Sequence, residues 1–298
     1  MNSKISSYYQ SFLQAYEKRY NTLLDKLNEK KISDILRKYL FYTPNLKGKL
    51  LRSLLAYRSC EIFGVHQIIK ENIAVATEIF QSFTLIHDDL PALDNDDIRR
   101  GKPALHKIVG EANAILIGDA LSLLTFMILT ENLDLPEVKK SLNGIIKFIN
   151  SLSSSSIFSL IDGQIEDLDS NLIKDSKQNY TQENLIKMYE KKTGSFFALS
   201  LSSGPLVSEL QKQTKDLHEA GILFGKAFQL ADDIEDYTIE KNKKTTSFAV
   251  IFGLEKTKKY LKDYFEKSTQ IIKNYDKEIL LLLFEDFYSQ WSEKYGIN

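Results

Sequence analysis

Between Leu85 and Gly101 the chain reads LIHDDLPALDNDDIRRG, which sets Asp88, Asp89, Asp94, Asp96 and Asp97 beside Arg99 and Arg100 at the end of an apolar run. A second acidic cluster, Gln229 to Asp236 (QLADDIED), lies far downstream on another apolar segment. Asp232 and Asp236 are one helical turn apart, and so are Gln229 and Asp233, so all four project from one side of a helix. Two unit charges about 4 Å apart repel by about 4 kcal/mol at an effective dielectric of about 20. Such clusters must therefore be solvated, partly protonated or bound to cations. One cluster alone reads as a solvated charge run; two on apolar helices point to metal ions shared across one cavity. Oxygen donors without clustered Cys or His select hard cations, and Mg²⁺ in particular binds through a few carboxylates plus substrate phosphates. The run from Asp94 lacks the glycine and final glutamate of a calcium-binding EF-hand loop.

The elements that must carry these residues read as helices. Apolar residues recur at spacings of three and four from Ile5 to Asn28, and a shorter helix over Ile32–Tyr42 is ended by Thr43-Pro44-Asn45. The next helix runs from Lys47 to Phe63. Val65–Leu90 is too apolar for a surface helix and delivers Asp88 and Asp89 at its C-terminal end, where exposed carbonyls disfavour carboxylates and call for a compensating cation. Pro91 opposes a straight continuation, so a turn after Leu90 can bring Asp94 back beside Asp88. Glu111–Leu129 reads as a central or interface helix, with Asp119 as a satisfied buried carboxylate. Helices over 135–152, 156–169, 181–203, 216–240, 255–274 and 277–295 complete the chain, that of 181–203 closing before Gly204-Pro205. Trp291 reads as a packing residue, and His87 and His106 as packing or hydrogen-bonding residues rather than general bases. No sustained strand alternation or repeat is present.

The totals agree with an all-α chain. With 298 residues, 43% of them hydrophobic, the chain can bury a sizeable core, and only 13 Gly and 5 Pro favour long helices. Lys plus Arg (39) nearly balances Asp plus Glu (40), which gives no case for nucleic acid or an anionic membrane as partner. Cys60 stands alone, the N-terminus lacks the features of a signal peptide, and no uninterrupted apolar run approaches the roughly 20 residues of a membrane span. A cytoplasmic, single-domain protein over 1–298 is expected.

In order along the chain, Gly48-Lys49-Leu-Leu-Arg52, Asp88-Asp89-Leu-Pro-Ala-Leu-Asp94, Arg99-Arg100-Gly101, Lys192-Thr193-Gly194 and Asp232-Asp233-Ile-Glu-Asp236 resemble the successive motifs of the trans-isoprenyl diphosphate synthase family, in its short-chain farnesyl/geranyl/geranylgeranyl group. Each motif is weak alone; the ordered set, covering about 47 to 247, is specific. The resemblance implies a bundle of long, mostly antiparallel helices around a central cavity. It implies Mg²⁺ held by Asp88, Asp89, Asp94, Asp232, Asp233 and Asp236, about three ions per active site, with Mn²⁺ able to substitute. Arg99, Lys192, Thr193, Gln229 and Lys244 would serve the allylic diphosphate, and Lys49, Arg52, Gln81 and Arg100 isopentenyl diphosphate. Phe83, with Thr84 beside it, would set chain length, a bulky aromatic there stopping growth near about fifteen carbons, at farnesyl diphosphate. The alternative products are geranyl and geranylgeranyl diphosphate. Homodimerisation is implied, with 111–129 as the interface.

The chain departs from the family at several points. Ser53 replaces a usual proline, Lys47 replaces a usual glycine, the connection from Asp236 to Lys244 is short, and a lysine that this loop carries in relatives has no secure counterpart, Lys241 being only a candidate. The C-terminus, EKYGIN, lacks a basic tail. A terpene cyclase, a non-catalytic partner subunit and a helical scaffold with solvated acidic faces are the competing readings.

Overall fold

A computed structural model of the chain describes residues 3–46, 48–172, 181–243 and 247–297, the side chains of 169–172 and 239–243 excepted. The protein is built from helices: α1 (Ser3–Asn28), α2 (Asp34–Tyr39), α3 (Tyr42–Asn45), α4 (Leu51–Ile62), α5 (Gln67–Asp88), α6 (Leu105–Val109), α7 (Glu111–Leu129), α8 (Pro136–Lys139), α9 (Leu142–Ser155), α10 (Asp162–Leu172), α11 (Gln182–Tyr189), α12 (Ser195–Val207), α13 (Gln211–Lys243), α14 (Phe248–Phe252), α15 (Leu254–Ile272) and α16 (Leu280–Tyr295). Two π-helical turns, Ser156–Ile161 and Glu190–Gly194, join α9 to α10 and α11 to α12. Among the described residues the sole sheet is an antiparallel hairpin of β1 (Ile98–Arg99) and β2 (Lys102–Pro103), which the alternation pattern did not announce because two-residue strands have no period to display.

The contacts divide the chain into two compact units, Tyr9–Ile145 and Met1–Tyr8 with Ile146–Asn298. In the first, α5 packs against α4 and α7. It buries Ile73, Val75, Ile79 and Phe80, as its apolar run requires. Arg19 on α1, only 6% exposed, is held by Asn72 (2.6 Å) and by Glu131, which also pairs with Lys26. In the second unit, α13 packs between α12 and α15. Phe224 of α13 lies 4.2 Å from the Phe284 ring and 5.1 Å from Phe197, and Trp291 stacks on it at 6.1 Å, so the tryptophan is a packing residue.

Two expectations are corrected. Helix α12 runs through Gly204-Pro205 to Val207 rather than closing before them. Asp119 is not buried: its side chain is 57% exposed, 3.8 Å from His87. Two helical stretches, Glu111–Leu129 and Leu142–Leu168, are long and apolar enough to cross a membrane by length and composition, because scattered polar residues interrupt the apolar run without lowering its average much.

Candidate active site

Helix α5 ends at Asp88, where Pro91 forbids a straight continuation. The chain turns instead, and the Asp94 N–H donates to the Asp88 carbonyl at 2.9 Å while Asn95 N–H donates to Leu90 at 3.1 Å. The break thus brings Asp94 beside Asp88. Asp89, only 2% exposed, receives Arg99 Nε at 2.9 Å and a second bond from Arg99 Nη2, which also reaches Asp96 at 3.2 Å. Arg99 is therefore the cation that compensates carboxylates at a helix C-terminus. Burial pushes the Asp89 carboxyl above its ordinary value, against the hydrogen bond and charge of Arg99.

Arg99 and Arg100 are sent to different neighbours by the hairpin. Arg100 (φ 51°) and Gly101 (φ 74°) form its two-residue loop, and both positive φ values suit a type I′ turn, which glycine adopts freely and arginine only under strain. The Arg100 guanidinium turns to the Leu46 carbonyl (2.6 Å) and to Glu78 Oε1 (3.3 Å). Arg52 of α4 also lies within electrostatic reach of Glu78. Gln81, one turn along α5 from Glu78, has its Oε1 buried without a hydrogen-bond partner among the described residues. Lys49 is exposed, and its carbonyl accepts from Tyr9 Oη at 3.3 Å. Phe83 is half-buried, edge-on to Phe80 (5.0 Å) and His87 (5.2 Å), and the Thr84 hydroxyl donates to the Gln81 carbonyl (2.9 Å). His87 Nε2 meets the Ile115 carbonyl at 3.2 Å. His106 is buried, its ring nitrogens without partners among the described residues, so it packs.

In the second unit, Thr193 Oγ1 donates to Gln229 Oε1 at 2.7 Å, joining the Lys192-Thr193-Gly194 element to the second acidic helix. This junction depends on bare backbone: a Cβ on Gly225 would lie 2.5 Å from Gly194 Cα. The π-helical turn at Glu190–Gly194, a feature common at functional positions, lies against α10. Lys191 bonds Asp162 (2.7 Å) and Glu166 (2.6 Å), while Lys192 bonds Asp167 at 2.6 Å. Asp232 is half-buried and Asp236 exposed, but Asp233 is 3% exposed and its Oδ2 accepts from Tyr189 Oη (2.6 Å) and Phe248 N–H (3.0 Å). Lys244 lies outside the described residues, as does the side chain of Lys241.

Sequence reasoning passed over Glu78, Gln164 and Asp167. Gln164 Nε2 is buried without a hydrogen-bond partner among the described residues, and Asp167 neutralises Lys192. The available signal was the acidic GQIEDLD run of α10, which reads as an ordinary solvated face.

The donor chemistry fits a hard cation. Among the described residues no three His, Cys, Asp or Glu side chains converge as a formed metal centre. Yet the Asp88–Asp94 turn and the Asp232–Asp236 helical step each offer paired carboxylates with no sulfur nearby in sequence, as Mg²⁺ prefers.

The chain is similar to known proteins throughout. It is 34% identical to the farnesyl diphosphate synthase of Escherichia coli (strain K12) over 80% of this chain and 82% of the relative. It is 32% identical to the geranylgeranyl diphosphate synthase of Cyanophora paradoxa over 96% of each. Among solved structures, a geranyltransferase from Legionella pneumophila superposes with a TM-score of 0.80 at 27% identity, covering 99% of both chains. A geranyltranstransferase from Thermotoga maritima gives the same score and identity over 96% of this chain and 99% of its own. The fold is accordingly that of the isoprenoid synthases. A family model described as polyprenyl synthetase matches residues 33–279, a span that holds all five ordered motifs, and the chain belongs to that family.

Proposed function

We propose that this protein joins isopentenyl diphosphate head-to-tail to an allylic diphosphate and releases farnesyl diphosphate. The chain is a short-chain trans-prenyltransferase. The observation that most supports the proposed division of labour is the pair of arginines on one hairpin, Arg99 turned to Asp89 and Arg100 to Glu78 beside Arg52. Adjacent residues with separate partners suit two diphosphates, one on the carboxylate side and one on the cationic side.

Asp88, Asp89, Asp94, Asp232 and Asp236 would hold Mg²⁺, which when bound supplies the positive charge that makes diphosphate a good leaving group. Arg99 and Lys192, with Lys244, take up the negative charge that develops as the allylic C1–O bond breaks. Lys49, Arg52, Gln81 and Arg100 orient isopentenyl diphosphate so that its double bond attacks C1. Thr193 and Gln229 offer oxygens toward the allylic cation. The proton lost from C2 of the isopentenyl unit passes to the released diphosphate, so no protein base is required. Asp233, with its carboxylate committed to Tyr189 and Phe248, braces the helix that carries Asp232.

Phe83 supports farnesyl as the product, since a half-buried ring five residues before Asp88 can close the floor under a growing chain. The exposed Ile115, Leu116, Leu123 and Met127 of α7 support a homodimer. Incubation with dimethylallyl and labelled isopentenyl diphosphates plus Mg²⁺, followed by mass analysis, tests the reading. A fifteen-carbon diphosphate is expected; an allylic diphosphate consumed without isopentenyl label would indicate a cyclase instead.

A further inference from the structure

Glu78 is a carboxylate placed where an anion is to be bound, and it sits in the middle of α5 among apolar residues, 2% exposed. A buried charge of this kind persists only with partners. Its partners are the two guanidiniums assigned to isopentenyl diphosphate. Arg100 Nη1 and Nη2 each approach Oε1 at 3.3 Å, and Arg52 adds its charge from α4. Burial raises the Glu78 carboxyl above its ordinary value, while Arg100 and Arg52 oppose that rise.

Arg100 is restrained on its remaining sides as well. Its Nη1 donates to the Leu46 carbonyl at 2.6 Å. A Cβ added to Gly48 would lie 2.5 Å from Arg100 Cζ, so the guanidinium rests on bare backbone. The backbone of Arg100 is itself held at a φ of 51°. A long, rotamer-rich side chain is thus fixed in one direction by contacts from α5, from Leu46 and Gly48 and from its own turn, an arrangement that removes its ordering cost from ligand binding. We propose that Glu78 is the positioning residue of the isopentenyl diphosphate pocket, clamping Arg100 and keeping Arg52 beside it so that the two cations meet one diphosphate. The proposal rests on the functional reading above and goes further by assigning a carboxylate to the cationic pocket.

Steady-state kinetics with each substrate varied in turn test it. Glu78→Gln, which keeps shape and loses charge, should raise KM for isopentenyl diphosphate about tenfold, equal to 1.4 kcal/mol, and leave the allylic KM within about twofold. Glu78→Asp should fall between. In an Arg100→Met background Glu78→Gln should add less than about twofold, because the clamp then has nothing to hold. Equal changes in both KM values, or full additivity with Arg100→Met, overturn the proposal. Calorimetric binding of inorganic pyrophosphate in EDTA repeats the comparison without turnover: equal affinity for wild type and Glu78→Gln overturns the clamp. Should the wild type fail to use isopentenyl diphosphate, it is the functional reading that falls, and the pyrophosphate comparison still decides the clamp. Melting curves of each variant identify any that do not fold, and Glu78→Asp then carries the comparison.

Discussion

Asp232 and Asp233 are neighbours in one motif, and their replacement by asparagine should give opposite results. Asp233 is 3% exposed, and its Oδ2 takes the Tyr189 hydroxyl at 2.6 Å and the Phe248 N–H at 3.0 Å. Hydrogen bonds to a charged group contribute about 1.5–3 kcal/mol each. Asparagine keeps one acceptor oxygen but loses the charge assistance of both bonds, so Asp233→Asn should cost roughly 2 kcal/mol. At about 2–4 °C per kcal/mol for a chain of this size, Tm should fall by about 4–8 °C. Asp232 is half-buried, and its replacement should change stability by less than about 0.5 kcal/mol. The same change removes a carboxylate from the charge-developing site and should lower kcat by about 10²–10³. Thermal melts in EDTA, alongside kcat with dimethylallyl and isopentenyl diphosphates, separate the two effects. Tyr189→Phe deletes only the hydroxyl and should be strongly non-additive with Asp233→Asn. If Asp233→Asn melts with the wild type, or Asp232→Asn keeps full kcat, the division of the motif into ligand and brace is wrong.

Phe83→Ala should shift products beyond fifteen carbons, seen by chromatography; an unchanged product profile would remove Phe83 from chain-length control. Gly225→Ala puts a Cβ 2.5 Å from Gly194 Cα and should cost about 1–3 kcal/mol with a loss of kcat, since the helix can yield only by moving Thr193 off Gln229; a melt and kcat like the wild type would refute the close approach. Burial alone would raise the Glu131 carboxyl, but hydrogen bonds from Lys26 and Arg19 hold it below its ordinary value. The unfolded chain therefore takes up that proton first as pH falls, so the ion group's stabilisation is full above about pH 4.3 and is lost as pH drops through the lower folded value. The Tm deficit of Glu131→Gln should accordingly shrink from pH 7 to pH 3, and a constant deficit would contradict this. Leu116→Glu with Leu123→Glu on the exposed face of α7 should yield monomers in sedimentation, and an unchanged oligomer would exclude that face as the interface.

What the sequence made legible follows from where its signals are strong. The apolar spacing of α1 and the uniform apolarity of α5 and α7 show plainly, because burial of a face imposes a period. The turn that returns Asp94 to Asp88 was readable from Pro91, a local steric constraint that needs no tertiary context. Breaks of the same helical pattern were not. The π-helical turns at Ser156–Ile161 and Glu190–Gly194 change the backbone without changing composition, and the 98–103 hairpin is too short to alternate. The site was legible where residue type implies chemistry and obscure where partnership does. Aspartate pairs announce a cation by their own repulsion, whereas Asp167 looks like any solvated helix acid until Lys192 is found against it. Glu78 is the sharper case: in sequence it is a glutamate inside the apolar run of a helix, an expensive residue with no visible compensation. Its compensation lies 22 residues downstream, delivered by a strained two-residue loop, and only the fold brings Arg100 back to meet it.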